Sequence, residues 1–203
     1  MTDRGVDEDK RTTLRRFAAL GAATPLVGLG GRGDDDADRS DVRDAIVGYL
    51  GTTPGAHFSK LRDDLKLGTG EAQHHLRQLV DAGAVESRKD GDYRRFFPAG
   101  RFDEYEQVAL GYLRRDTPRG MLLHLLRRPA ATGTDLAATL DVSRATVSAA
   151  AADLREAGLL TEDGYAVARP ETVLTLLVRF ADSFGGAAAA FADEADEYVR
   201  YDP

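Results

Sequence analysis

Four long polar side chains, Gln73, His74, Arg77 and Gln78, stand close together in the segment 69 to 81, and at helical spacing they project from one side of it. Such a set suits one kind of chemistry. An amide pairs with an adenine edge, a guanidinium with guanine, and an imidazole with a base or a phosphate, which together make a donor and acceptor set for the major groove. Thr69 adds a hydroxyl at the start of the segment. A second cluster follows at once: Arg88, Lys89, Arg94 and Arg95 surround an Asp90-Gly91 turn, with Tyr93 among them. Cations so placed suit phosphate or minor-groove contact. An ordinary solvated hairpin is the competing reading, and the position directly behind a polar helix weighs against it.

Holding these groups outward requires an apolar back. Ala72, Leu76, Leu79 and Val80 supply it in segment 69 to 81, and Ala82-Gly83 closes that helix. Ahead of it, Ser40 can cap a helix with Val42, Ile46, Val47 and Leu50 on one face, ended by Gly51 and Pro54-Gly55. Phe58, Leu61 and Leu65 then have the spacing of a second, short helix, and Leu67-Gly68-Thr69 makes a turn. Residues 84 to 89 and 92 to 97 read as two strands joined by Asp90-Gly91.

The same order recurs 75 positions later: Ile46 answers to Met121, Leu50 to Leu125, Pro54 to Pro129, Leu61 to Leu136, Leu79 to Leu154 and Ala82-Gly83 to Ala157-Gly158. Helix, short helix, tight turn, third helix and hairpin is the order of a winged helix-turn-helix. The expected fold class is therefore mainly α with small β-hairpin wings, in two tandem winged helix-turn-helix domains plus flanking helices.

Leu65-Lys66-Leu67-Gly68, followed by Ala72-Gln73-His74-His75-Leu76-Arg77-Gln78-Leu79-Val80-Asp81-Ala82-Gly83-Ala84-Val85, resembles the ArsR/MarR-type winged-helix transcription regulators, of a kind common in halophilic archaea. The resemblance covers residues 41 to 100. It implies a sequence-specific DNA-binding regulator, with base reading by Thr69, Gln73, His74, Arg77 and Gln78 and phosphate contact by Arg88, Lys89, Arg94 and Arg95. Gly68 and Thr69 stand where the family has a serine cap, and His75 is expected to pack at the base of the helix. The competing function is a protein-interaction scaffold of tandem winged helices without sequence-specific reading.

The second copy has the fuller turn motif, Leu140-Asp141-Val142-Ser143-Arg144-Ala145-Thr146-Val147-Ser148, yet its third helix exposes Ala145, Ala149 and Ala152. Alanine cannot reach a base edge. Arg144, Thr146 and Ser148 remain as secondary contacts to phosphate, and Thr161-Glu162-Asp163-Gly164 makes an acidic wing tip. Thr117-Pro118 is expected to open the first helix of this copy. The domain reading is 1–40 a flexible tail or leader, 41–100 the DNA-reading module, 101–116 a connecting helix, 117–169 the second module and 170–203 C-terminal helices ending near Tyr198.

Cysteine is absent, which excludes disulfides, thiolate metal sites and cysteine nucleophiles. His57, His74, His75 and His124 do not group for a metal, no glycine-rich phosphate loop joins a strand to a helix, and neither an enzyme nor a cofactor is expected. The charge of -7, from 27 basic and 34 acidic residues, is unusual for a nucleic-acid binder, but the acidic excess lies beyond residue 100. An acidic, arginine-over-lysine composition resembles proteins of concentrated salt, where a screening length of about 3 Å at 1 M leaves recognition to contact hydrogen bonds. Expected partners are double-stranded DNA, a second copy of the chain in a homodimer, and a protein at the second module. Arg15-Arg16-Phe17 before a weakly apolar run somewhat resembles a twin-arginine signal. A cytoplasmic location is expected otherwise, and a membrane enters only if residues 1–33 are such a signal.

Overall fold

The computed structural model describes residues 3–21 and 34–195, with side chains of 8–21 and 41–195. Two compact units, Met1–Asp103 and Glu104–Pro203, divide the chain. The first contains helices α1 (Asp3–Gly21) and α2 (Asp34–Thr52), strand β1 (Ala56–His57), helices α3 (Phe58–Asp64) and α4 (Thr69–Asp81), and strands β2 (Val85–Asp90) and β3 (Tyr93–Pro98). Its core joins Val42, Ile46, Tyr49 and Leu50 of α2 to Leu61, Leu65, Leu76, Leu79, Val85 and Phe96. Burying one such side chain contributes roughly 1.5–3 kcal/mol, so the periodic positions that mark the helices also hold them together.

Within residues 1–40, expected as a flexible tail or leader, Asp3–Gly21 form a helix that packs on this core. Leu14 is buried, Phe17 and Ala18 pack on the same core, and the Phe17 ring meets Tyr49 edge-on at 5.4 Å. Two glycines make the crossing close. A Cβ at Gly48 would overlap the Phe17 carbonyl oxygen, and one at Gly21 the carbonyl oxygen of Asp44. The Phe17 of the paired-arginine motif is thereby used in packing, while the run from 22 to 33 lies outside the described residues. Nor does Ser40 begin a helix, because α2 starts at Asp34.

The sheet is antiparallel in the order β1-β3-β2. Asp90 pairs with Tyr93, so the two-residue loop is Gly91-Asp92 rather than Asp90-Gly91, with Gly91 at φ +59 in its first position. Glycine there suits a type II′ turn. A loop one residue later moves each pairing by two, so that Lys89 stands opposite Arg94 and Arg88 opposite Arg95.

The second unit contains α5 (Glu104–Leu113), α6 (Asp116–Arg127), α7 (Gly133–Leu140), α8 (Arg144–Glu156), α9 (Pro170–Arg179), α10 (Ala181–Phe184) and α11 (Gly186–Asp193). Helix α6 begins before Thr117-Pro118, with Arg115 at the cap. Thr132 and Asp135 form a reciprocal cap on α7, and the Ser143 hydroxyl accepts from the Thr146 amide at 3.0 Å to open α8. Val173, Leu176, Leu177, Phe180, Phe184 and Phe191 of the C-terminal helices are buried, and they complete the core of this unit. The final helix ends at Asp193, and Tyr198 lies outside the described residues.

Only one wing is a ladder. After α8 the second hairpin is reduced to a single bridge, Leu160 to Val167, flanked by backbone bonds from Thr161 to Ala166 and from Ala168 to Leu159. Taken together, the molecule is mainly helical with one small antiparallel sheet, in two tandem winged-helix units.

Candidate nucleic-acid interface

Helix α4 turns Ala72, His75, Leu76 and Leu79 into the core. At about 100° per residue, the opposite side is centred on Gly70, His74, Arg77 and Asp81 and flanked by Gln73 and Gln78, all exposed. Thr69 is exposed at the first position. A Cβ at Gly70 would meet nothing within 4 Å, so the glycine leaves bare backbone on this face. Asp81 is not among the predicted contact residues, although its spacing from His74 and Arg77 places it on the same side. Its carboxylate disfavours a phosphate near the end of the helix.

Gly68 cannot cap α4 with a side chain. Glu71 supplies part of that function by accepting the Gly68 amide at 3.1 Å, and it also receives Lys10 of α1, whose Nζ lies 3.0 and 2.9 Å from its two oxygens. Neither Glu71 nor Lys10 is among the residues predicted for the site; the Gly-x-x-Glu spacing before an apolar run is the signal in the sequence that marks Glu71.

On the wing, Lys89 and Arg94 are exposed, Arg88 is half-buried, and Tyr93 is exposed with its ring 5.0 Å from that of His57. Arg95 corrects the expectation that four cations face a phosphate. It is only 3% exposed, pairs with Asp90 and donates to the Gly55 carbonyl oxygen at 3.0 Å. The reason is its place on the central strand, where one neighbour is β1 and the other carries Asp90. Its charge organises the hairpin from within.

In the second unit Arg144, Thr146 and Ser148 are exposed, but so are Ala145, Ala149 and Ala152. The hydroxyls of Ser143 and Thr146 lie 2.8 Å apart and bond to each other. Arg155 donates to the Gly164 carbonyl oxygen at 3.2 and 2.9 Å and lies over the Tyr165 ring, which itself abuts Gly133. This segment is pinned back by its nearest cation, and exposed Glu162 and Asp163 remain at its tip. His124, buried in α6, has its pKa lowered chiefly by loss of hydration and then by Arg128.

Helix-turn-helix units in tandem, one with a polar third helix beside a cationic hairpin, define a tandem winged helix-turn-helix protein. Residues 40–110 match a family model described as an N-terminal HTH domain, and residues 116–166 match that of the MarR family. A relative from Methanocaldococcus jannaschii, named an uncharacterised HTH-type transcriptional regulator, is 30% identical over 91 residues, which are 45% of this chain. The matched stretch is 23% of that relative's length. No solved structure matches the chain. The chain thus carries two tandem helix-turn-helix units, the first similar to an N-terminal HTH domain and the second to the MarR family.

Proposed function

We propose that this chain regulates transcription by binding double-stranded DNA through its first unit. Helix α4 enters the major groove, with Gln73, His74, Arg77 and Gln78 at base edges and Thr69 at its entry. Lys89 and Arg94, with Arg88 beside them, meet phosphates. One observation carries the reading: Lys89 and Arg94 are directly opposed across the hairpin, and among the described residues neither makes an ion pair. Like charges facing each other on adjacent strands are unfavourable, and a phosphate between them removes the repulsion.

The second unit has a different role. Its alanine face and its pinned, acidic hairpin support a contribution other than base reading, such as a protein contact at α8, with Arg144 touching phosphate at most. Two copies on one duplex would place their α4 helices about 34 Å apart, one helical turn, on a partly palindromic site. Acting on a chromosome implies a cytoplasmic location. Among the described residues no helix is long and apolar enough to cross a membrane.

The test is selection of duplexes from a random-sequence pool by the full chain, followed by titration of the selected and an unselected duplex at several salt concentrations. The expected result is one enriched motif bound at least about a thousandfold more tightly than the unselected duplex. Equal binding of both, or of neither, would remove the reading role and leave the scaffold function.

A further inference from the structure

We propose that α1 braces the helix-turn-helix of the first unit, and that Lys10 is a positioning residue that holds the start of α4 through Glu71. The inference rests on the reading of α4 as the base-reading helix. Three contacts converge on the segment between α3 and α4. Phe17 packs on Tyr49, whose hydroxyl donates to Asp64 at the end of α3 at 2.8 Å. Asp9 lies 3.5 Å from the ammonium of Lys66, the turn residue held at φ +54. Lys10 binds both oxygens of Glu71 in the first turn of α4.

The same turn in the second unit shows what this replaces. There Ser143 caps α8 with its own hydroxyl, and the residue answering to Glu71 is Thr146. In the first unit the cap is glycine, so the first turn of α4 is secured by the Glu71 carboxylate reaching back to Gly68. A carboxylate on a helix that enters a groove between phosphate backbones is unfavourable for binding, and Lys10 both offsets its charge and fixes its rotamer. The close α1–α2 crossing at Gly21 and Gly48 gives Lys10 a rigid base. This ion pair is about one-third exposed on each side, so its effect is modest.

The experiment is a double-mutant cycle in the full chain, Lys10→Ala, Glu71→Gln and both together, titrated with the selected and an unselected duplex and paired with amide exchange at Gly68. Glutamine keeps an acceptor for the Gly68 amide without the charge. Expected is a loss of about fivefold on the selected duplex from Lys10→Ala, an unchanged salt slope, little loss on the unselected duplex and a much smaller loss in the Glu71→Gln background. Exchange at Gly68 should accelerate several-fold in Lys10→Ala. A salt slope lowered by about one would instead make Lys10 a direct phosphate contact. That outcome, or an equal loss in both backgrounds, overturns the proposal. Should the parent chain bind no DNA, the reading of α4 fails on its own, while unchanged exchange at Gly68 would still refute the brace.

Discussion

Arg95 reaches back across the hairpin to Asp90 and is sealed beneath the wing, so one of the most basic-looking residues of the segment is structural. Removing the guanidinium takes away its pair with Asp90 and its bond to the Gly55 carbonyl oxygen together, from a site that water hardly reaches. Arg95→Ala should therefore destabilise the first unit by about 3 kcal/mol, seen as a lowered urea midpoint. A change within experimental error would mean that the pair is dispensable and Arg95 is available for other contacts.

Arg77 and Arg94 should separate in solution as reading and positioning residues do. Arg77→Ala is expected to cost about 1–3 kcal/mol on the selected duplex and to relax preference at one base pair. Arg94→Ala should weaken selected and unselected duplexes alike and lower the salt slope by about one. Both should leave thermal stability close to the parent, since both side chains are exposed. Equal losses on both duplexes from Arg77→Ala would take base reading away from it.

Gly48→Ala carries a sign test for the packing of α1. In an isolated helix this exchange is stabilising by roughly 1 kcal/mol. Here the added methyl overlaps the Phe17 carbonyl, so a net loss of stability is expected, together with faster proteolysis within 3–21. A gain in stability would show that α1 does not rest on α2.

His124 gives a pH dependence of known direction. Its folded-state pKa lies below the ordinary value of 6.5, mainly through burial, with Arg128 and Arg127 adding to the shift and Asp135 opposing it. Below pH 6.5 the unfolded chain takes up a proton that the folded chain resists, so stability falls as pH drops from there toward the folded-state value and is unaffected above. The variant His124→Leu should flatten this part of the urea midpoint profile. Superimposable parent and variant profiles between pH 7 and 5 would assign the dependence elsewhere.

Much of this architecture was legible because its determinants are local. Segment 69 to 81 forms the helix read from its apolar spacing, and Ser143 caps α8 as its position implied. The repeat holds at the level of backbone angles: Lys66 and Asp141, 75 positions apart, have φ of 54 and 51, and Gly83 and Gly158 have 69 and 70. Equivalent residues fold alike because capping, turn geometry and 3.6-residue periodicity depend on near neighbours.

What only the tertiary structure decided are the pairings between distant segments. The repeat, the helix faces and the third helix that carries the polar side chains follow from the order of residues alone. Docking of α1 depended on two glycines 27 positions apart meeting each other's helices, which neither segment announces by itself. Hairpin register turned on where the loop falls: placing it at Gly91-Asp92 instead of Asp90-Gly91 shifts each cross-strand pairing by two residues, which keeps every side chain on its face but changes the residue it meets. That choice opposed Lys89 to Arg94 and drew Arg95 inward: short-range spacing wrote the elements, and packing across the sheet determined which charges reach solvent.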